Sequence, residues 1–324
     1  MSTRLLDPTH DAAMTMNIDP AAVETLITVR DWLRYGASQF TKAGLVFGHG
    51  TATPLDEAAF LILESLRLPI DQLEPWLDAR LLPVERAGLA ALISDRIETR
   101  KPAPYLVNAA YIQGHRFYVD ERVIVPRSYI GELLGQRLSA VIDDPDDITD
   151  VLDLCTGSGC LAILSALAFP GARVDAVELS ADALAVARRN VDAYKLEDRV
   201  RLIRSDLFSG VAAEQRYDLI IANPPYVATA EMAAFDPEYR AEPVMAHAGG
   251  RDGLDLVRRI VVAAQAHMKP AATLIIELGT GRDAFETAFP ALECLWLETQ
   301  TSSGEVVAIT AEALSALHAE GAVT

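Results

Sequence analysis

A seven-stranded, mostly parallel α/β sheet, set behind an N-terminal helical domain and a linking β-hairpin, is the fold class this sequence predicts. Three observations carry the expectation. Strand and helix signals alternate from Val151 to the C-terminal region, which means a parallel sheet covered by helices on both faces. The final two strand candidates are joined by only Thr299 to Glu305, too short for a parallel crossover, so the last strand should run antiparallel. The first hundred residues show apolar positions spaced three and four apart and no catalytic motif.

Taken in order, residues 1–20 hold Asp7, Asp11 and Asp19 and no apolar stretch; they match neither a signal nor a transit peptide and are expected to be a disordered leader. From Ala21 to about Arg100, Val23, Leu26, Ile27, Leu33, Leu63 and Leu66 set a helical period. Thr53-Pro54 ahead of Asp56 and Glu57 reads as a helix start, and Pro69 and Pro83 punctuate later helices. Residues 105–127 mix β-branched and aromatic residues around Gly114 and predict the hairpin. Asp143 to Asp147 form an acidic turn around Pro145. Beyond it the strand candidates are Val151 to Leu154, Arg173 to Glu178, Val200 to Ile203, Tyr217 to Ala222, Thr273 to Leu278, Cys294 to Glu298 and Val306 to Thr310.

Composition narrows the function. The 324 residues are 51% hydrophobic and 23% charged, which suits a globular protein, and apolar runs such as Cys160 to Phe169 stop near ten residues, well short of a membrane span. Three cysteines without metal-ligand spacing fit reduced thiols and a cytoplasmic location. The 46 acidic and 28 basic residues give a net charge of −18. Such a chain repels phosphate backbones, so direct nucleic-acid binding is not expected, and neither is a membrane role. The excess serves solubility, or it recruits a strongly basic protein. Asp56, Glu57, Glu64, Asp71 and Glu74 would make the helical module the docking surface for such a partner.

Asp153-Leu154-Cys155-Thr156-Gly157-Ser158-Gly159 stands where the first strand ends and a helix begins. Its glycines allow close backbone approach to a ligand, although a tight turn alone could also require them. The loop also fits G-x-G-x-x-A, so by itself it does not separate NAD from S-adenosylmethionine. Glu178 ends the second strand 21 residues after Gly157 and is placed to accept hydrogen bonds from a ribose diol. Asp206, after the third strand, can accept from an adenine amino group while Leu207 and Phe208 pack on the ring; the alternative is a helix N-cap.

Asn223-Pro224-Pro225-Tyr226 ends the fourth strand and is the most specific signal. Two prolines remove two donors and fix the loop, leaving the Asn side chain and the Pro224 carbonyl as acceptors, one for each hydrogen of a planar NH2 group, with the Tyr226 ring on its flat face. Aiming the nitrogen lone pair at an electrophilic methyl requires no general base, so the rate should be nearly flat in pH. His49, His115 and His247 are scattered and read as structural or surface residues, with no metal site. Arg188-Arg189 reads as the polar face of a helix.

The glycine loop, Glu178 and Asn223-Pro224-Pro225-Tyr226 together resemble the HemK-type N(5)-glutamine methyltransferases, and the likeness runs from about Ala21 to Thr310. Phe47-Gly48-His49-Gly50-Thr51, Gly114 to Val123 and Val125-Pro126-Arg127-Ser128 are more similar to the PrmB-type branch, which acts on the third ribosomal protein of the large subunit, than to the release-factor branch. Glu242-Pro243, Gly249-Gly250 and Asp252-Gly253-Leu254 resemble both branches. The resemblance implies a Rossmann-like class I methyltransferase domain over 128–324, with substrate recognition over 21–104. It implies S-adenosylmethionine as cofactor, leaving as S-adenosylhomocysteine, and no metal. Thr156, Gly157 and Gly159 would serve its methionine part, Glu178 its ribose, and Asp206 and Leu207 its adenine, with Asp153, Cys155 and Ser158 of the same loop also cofactor-binding. Asn223, Pro224, Pro225 and Tyr226 would be catalytic, with Asn223 also bordering the cofactor. Cys155 departs from a usual glycine, and Tyr129 from a usual proline. Release-factor methylation, adenine-N6 methylation, a NAD-dependent dehydrogenase and a non-catalytic ribosome assembly factor are the competing readings.

Overall fold

The computed structural model describes residues 20–300 and 302–319; residues 1–19 of the expected leader lie outside the described residues. Two compact units emerge. One comprises the described residues up to Leu45 together with Thr51–Leu106; the other comprises Val46–Gly50 and Val107 onward.

The first unit is helical: α1 (Pro20–Thr25), α2 (Val29–Lys42), α3 (Pro54–Leu66) and α4 (Pro83–Thr99), with α5 (Ala103–Val107) at its boundary. Thr28 and Asp31 cap α2 reciprocally, and Thr53 caps α3 ahead of Pro54, so the helix start expected there forms. Trp32, Phe40, Leu61, Ile62 and Leu89 are buried in its core. Glu57, expected on an acidic docking surface, is buried instead and accepts from Arg96 Nε at 2.6 Å. An uncompensated charge inside an apolar bundle costs several kcal/mol, so this carboxylate serves the core while Asp56, Asp71 and Glu74 stay exposed.

The second unit opens with a hairpin of β1 (Ala110–Ile112) and β2 (His115–Phe117), shorter than the 105–127 span. α6 (Tyr129–Gly135) follows. Next come β3 (Asp150–Leu154), α7 (Cys160–Ala168), β4 (Arg173–Glu178), α8 (Ala181–Tyr194), β5 (Val200–Arg204) and β6 (Tyr217–Ala222). After α9 (Thr229–Met232), α10 (Pro237–Arg240) and α11 (Asp255–Ala264) come β7 (Met268–Glu277), α12 (Arg282–Ala288), β8 (Leu295–Glu298), β9 (Ser303–Thr310) and α13 (Ala311–Ala319). The sheet order is β5-β4-β3-β6-β7-β9-β8, parallel except where β9 pairs antiparallel with both β7 and β8. β7 begins earlier than expected: Met268 pairs with Tyr217, then the register shifts around Pro270, which cannot donate to a ladder, before Thr273 resumes beside Leu219. Among the described residues no helix is long and apolar enough to cross a membrane.

Strand order reverses between β3 and β6, and at such a switch point the helices leave on opposite faces and open a crevice at the carboxyl ends. Register then fixes what surrounds the crevice. Leu154 pairs with Val177 on one side and Ala222 on the other, and Ala222 pairs with Ile276. The next residues, Glu178, Cys155, Asn223 and Glu277, therefore stand in a row across four adjacent strand ends.

Candidate active site

A cavity of about 380 Å³, within the range of small-ligand sites, opens over Glu178, Cys155 and Asn223 of this row, with Glu277 outside its lining. Cys155, Gly157, Glu178, Asp206, Leu207, Asn223 and Pro225 line it, together with Arg122, Ile124, Met245 and Leu256. Asp153, Thr156, Ser158, Gly159, Pro224 and Tyr226 belong to the same loops but stand outside the lining.

The glycine loop is held by side chains beneath it. Asp153 is fully buried and accepts from Thr156 Oγ1 at 2.5 Å, and burial pushes its carboxyl up to about 7. Asn190 of α8 donates to the Ser158 carbonyl at 2.8 Å and also bonds both backbone groups of Tyr118, while Arg189 stacks over the Tyr118 ring at 3.5 Å. That helix face is thus partly a packing surface. A Cβ on Gly159 would meet Ala187 at 3.2 Å, so glycine permits the loop to lie on α8. Cys155 adopts φ 60, a left-handed conformation in which a side chain is strained, and burial raises its thiol well above the usual range.

Both oxygens of Glu178 are engaged by the backbone: Oε2 accepts from Gly157 N at 3.0 Å and Oε1 from Ser180 N at 2.9 Å. A carboxylate has about four acceptor sites, so each oxygen keeps one. Asp206 makes no side-chain helix cap; Arg259 of α11 holds its Oδ2 at 2.8 Å, leaving Oδ1. Phe208, expected beside Leu207 against a ligand ring, stacks instead on His267, with ring centroids 5.0 Å apart. Burying its ring on an aromatic neighbour competes successfully with exposure in an open cavity.

The Asn-Pro-Pro-Tyr end is built differently. Asn223 Nδ2 donates to Glu277 Oε1 at 3.2 Å and approaches the Arg127 carbonyl at 3.4 Å. Both partners are acceptors, which fixes the amide's orientation and leaves Oδ1 as its remaining polar atom. Glu277, buried at the end of β7, also accepts from Ser128 Oγ at 2.5 Å and from the Tyr129 and Ile130 amides that begin α6. Burial pushes it up to about 7 against the pull of those donors, with Glu305 adding to the rise. The Tyr226 ring lies where a Cβ on Gly279 would stand, 2.5 Å away, and burial followed by Glu277 raises its hydroxyl to about 12. Gly253 at φ +81 comes against the Tyr226 carbonyl in the same way, and Val227 bonds the backbone of His247 and Gly249 at 2.9 Å each.

Below lies a cluster not visible in the sequence. Glu242 is fully buried and forms a bidentate pair with Arg127 at 2.7 Å for both contacts, and it accepts from Val125 N at 2.9 Å. His247 Nε2 stands 3.0 Å and His49 Nε2 3.6 Å from the same carboxylate. These two histidines, read as scattered, are therefore gathered on one anion, while His115 is not. The Arg127 guanidinium, which lies 5.6 Å over the Tyr239 ring, dominates among the donors that hold Glu242 far below the usual carboxylate range despite its burial. No group of three or more potential ligands able to hold a metal occurs among the described residues.

The methyltransferase small domain family model matches residues 133–236. The chain is 52% identical over 296 residues to a ribosomal protein uL3 glutamine methyltransferase of Burkholderia pseudomallei, covering 90% of this chain and 96% of that one. It is 53% identical over 292 residues to the protein of the same name from Bradyrhizobium diazoefficiens, covering 88% and 91%. Among solved structures, TrmN from Thermus thermophilus aligns with 55% of this chain and 48% of its own at 22% identity and a TM-score of 0.39.

Proposed function

The chain belongs to the ribosomal protein uL3 glutamine methyltransferase family, and from that premise we propose that it transfers a methyl group from S-adenosylmethionine to the side-chain amide nitrogen N5 of a glutamine in ribosomal protein uL3. The observation that carries this reading is the locked Asn223 amide, whose NH2 is consumed by Glu277 and Arg127 so that only an acceptor is left for the site. A glutamine amide needs two acceptors, one per hydrogen, and the Asn223 Oδ1 and Pro224 carbonyl are the pair supplied.

The cavity fits the cofactor by its chemistry. Glu178 has acceptor capacity for two ribose hydroxyls, Asp206 Oδ1 for an adenine amino group, and Leu207 and Leu256 offer apolar surface to a ring. When bound, S-adenosylmethionine supplies an electrophilic methyl group on a positively charged sulfur. Asn223 and the Pro224 carbonyl hold the acceptor amide so that its nitrogen is aimed at that methyl group. Pro225 removes a backbone donor that would compete, and the Tyr226 ring, fixed over Gly279, covers the amide face. Orientation of this kind replaces a general base, because the proton can leave to water after the bond forms.

The acceptor protein is basic in this reading, and Asp56, Asp71 and Glu74 of the helical unit capture it through complementary charge. Raising salt should then depress kcat/KM for the acceptor while S-adenosylmethionine affinity stays nearly constant, because screening shortens to about 8 Å at physiological ionic strength. An acceptor KM indifferent to salt would remove charge-guided docking. For the reaction itself, labelled S-adenosylmethionine and a lysate of cells lacking the enzyme should yield one labelled protein, uL3; label in a release factor or in nucleic acid would overturn the assignment.

A further inference from the structure

Four donors converge on the Glu277 carboxylate, and they divide by origin. Ser128 Oγ and the Tyr129 and Ile130 amides all reach Oε2, whereas Asn223 Nδ2 alone reaches Oε1. Oε2 is thereby committed to the start of α6, and Oε1 faces the Asn-Pro-Pro-Tyr loop. An Asn side chain has two orientations of nearly equal shape, and only one of them presents oxygen to the cavity. Resting on the glutamine-methylation reading above, we propose that Glu277 is a positioning residue: its Oε1 sets the polarity of Asn223, so that Oδ1 rather than NH2 meets the acceptor amide.

Polarity can be reversed without losing the α6 contacts. In Glu277→Gln the carbonyl oxygen stays with the three α6 donors, and the new NH2 turns toward Asn223. Asn223 then rotates to accept from it, giving up the longer 3.4 Å contact of its Nδ2 with the Arg127 carbonyl, and offers its own NH2 to the NH2 of the acceptor, donor against donor. A residue that merely anchored α6 would tolerate this change. Asn223→Asp alone sets two carboxylates against each other, and it becomes competent only when the pair holds one proton. Combined with Glu277→Gln, the same substitution restores a donor between the two side chains and an acceptor outward.

The titratable and charged groups around this pair are Tyr129 from α6, Arg127 before it, Tyr226 after β6 and Glu305 on β9. Glu277 lies near 7 because of burial, the two tyrosines are raised above their ordinary values, and the guanidinium keeps its charge; Glu277 is therefore the group that would carry a proton into the pair near neutrality. Protonation of wild-type Glu277 places a donor against Asn223 and mimics Glu277→Gln. The flat profile expected from fixed acceptors alone is thus replaced by an acid limb.

The experiment uses the full chain, S-adenosylmethionine and uL3 as acceptor, with single-turnover rates and calorimetric cofactor affinity. Glu277→Gln should lower the rate about 100-fold, the scale of losing one preorganised hydrogen-bonding group, with cofactor Kd within about 3-fold. The double variant Glu277→Gln/Asn223→Asp should recover at least about 10-fold over Glu277→Gln. Wild-type rate should fall as pH drops below about 7, and Asn223→Asp, which leaves Glu277 untouched, should rise over the same interval. A folded Glu277→Gln with near-normal rate, a double variant no better than either single, or parallel pH profiles for wild type and Asn223→Asp would overturn the inference. Failure of the wild-type protein to methylate any glutamine would instead overturn the function on which it rests.

Discussion

The two sides of the cavity hold their functional groups by opposite means. On the glycine-loop side, Glu178 is positioned by the backbone amides of Gly157 and Ser180, and Asp206 by a half-exposed arginine. On the Asn-Pro-Pro-Tyr side, Asn223 and Arg127 rest on the buried carboxylates Glu277 and Glu242, fed by the start of α6 and by the loop carrying His247. Backbone amides are available wherever a strand turns into a helix, so the first side is local and tolerant. Buried carboxylates must find a cation or a full set of donors, Arg127 for Glu242 and four neutral donors for Glu277, so the second side is rigid and intolerant. A cofactor that brings many contacts needs only a shaped cradle, whereas a single amide NH2 must be aimed.

The largest effect that would sharpen this contrast is on stability. Glu242→Gln leaves Arg127 without its partner ion, and breaking a buried pair from one side costs about 3 to 5 kcal/mol; chemical denaturation should show a loss of that size. A loss under about 1 kcal/mol would mean that the cluster is no keystone. Next comes Asn223→Ala, for which kcat should fall on the order of 100- to 1,000-fold with little change in melting temperature. Near-normal turnover would remove Asn223 from the acceptor site. On the opposite side, Glu178→Ala should weaken S-adenosylmethionine binding only about 10- to 100-fold, since a charged hydrogen bond contributes about 1.5 to 3 kcal/mol, and the fold should survive. Unchanged affinity by calorimetry would exclude it from the cofactor site. The smallest effect is at Cys155, whose φ of 60 suits glycine better. Cys155→Gly should shift stability by no more than about 1 kcal/mol and leave activity intact; a large loss of activity would give its side chain a role that the strain argument denies.

The same division governs how much the sequence disclosed. β4 and β6 occupy the spans expected from their apolar runs and β3 ends at Leu154 as expected, so the glycine loop, Glu178 and Asn223 follow directly from those strand ends. Asn223 was legible because its motif is contiguous. Glu277 lay in plain sight within a strand candidate, yet its role depends on register: only the pairing of Ala222 with Ile276 brings it beside Asn223. Counting one residue past each parallel strand, as Glu178, Cys155 and Asn223 already suggested, would have found it. Arg127 and Glu242 are 115 positions apart, and His49 is farther still, so no spacing pattern could join them. Phe208 packs on His267 rather than facing the cavity, and the two aromatic fates, a ligand face or a packed neighbour, look alike in sequence. An acidic residue in the first turn of a helix is normally exposed, but α3 turns Glu57 inward to Arg96, a burial that its sequence position does not reveal.

In the reading proposed above, the fixed acceptors Asn223 Oδ1 and the Pro224 carbonyl present a glutamine amide for methylation. The most direct measurement is mass spectrometry of uL3 after reaction with the purified protein and S-adenosylmethionine carrying a labelled methyl group. The expected product carries one added methyl, located by fragmentation on the side-chain nitrogen of a single glutamine and formed far more slowly with Asn223→Ala. A methyl group on any other residue type, or no transfer to uL3 by a folded, cofactor-binding protein, would contradict it.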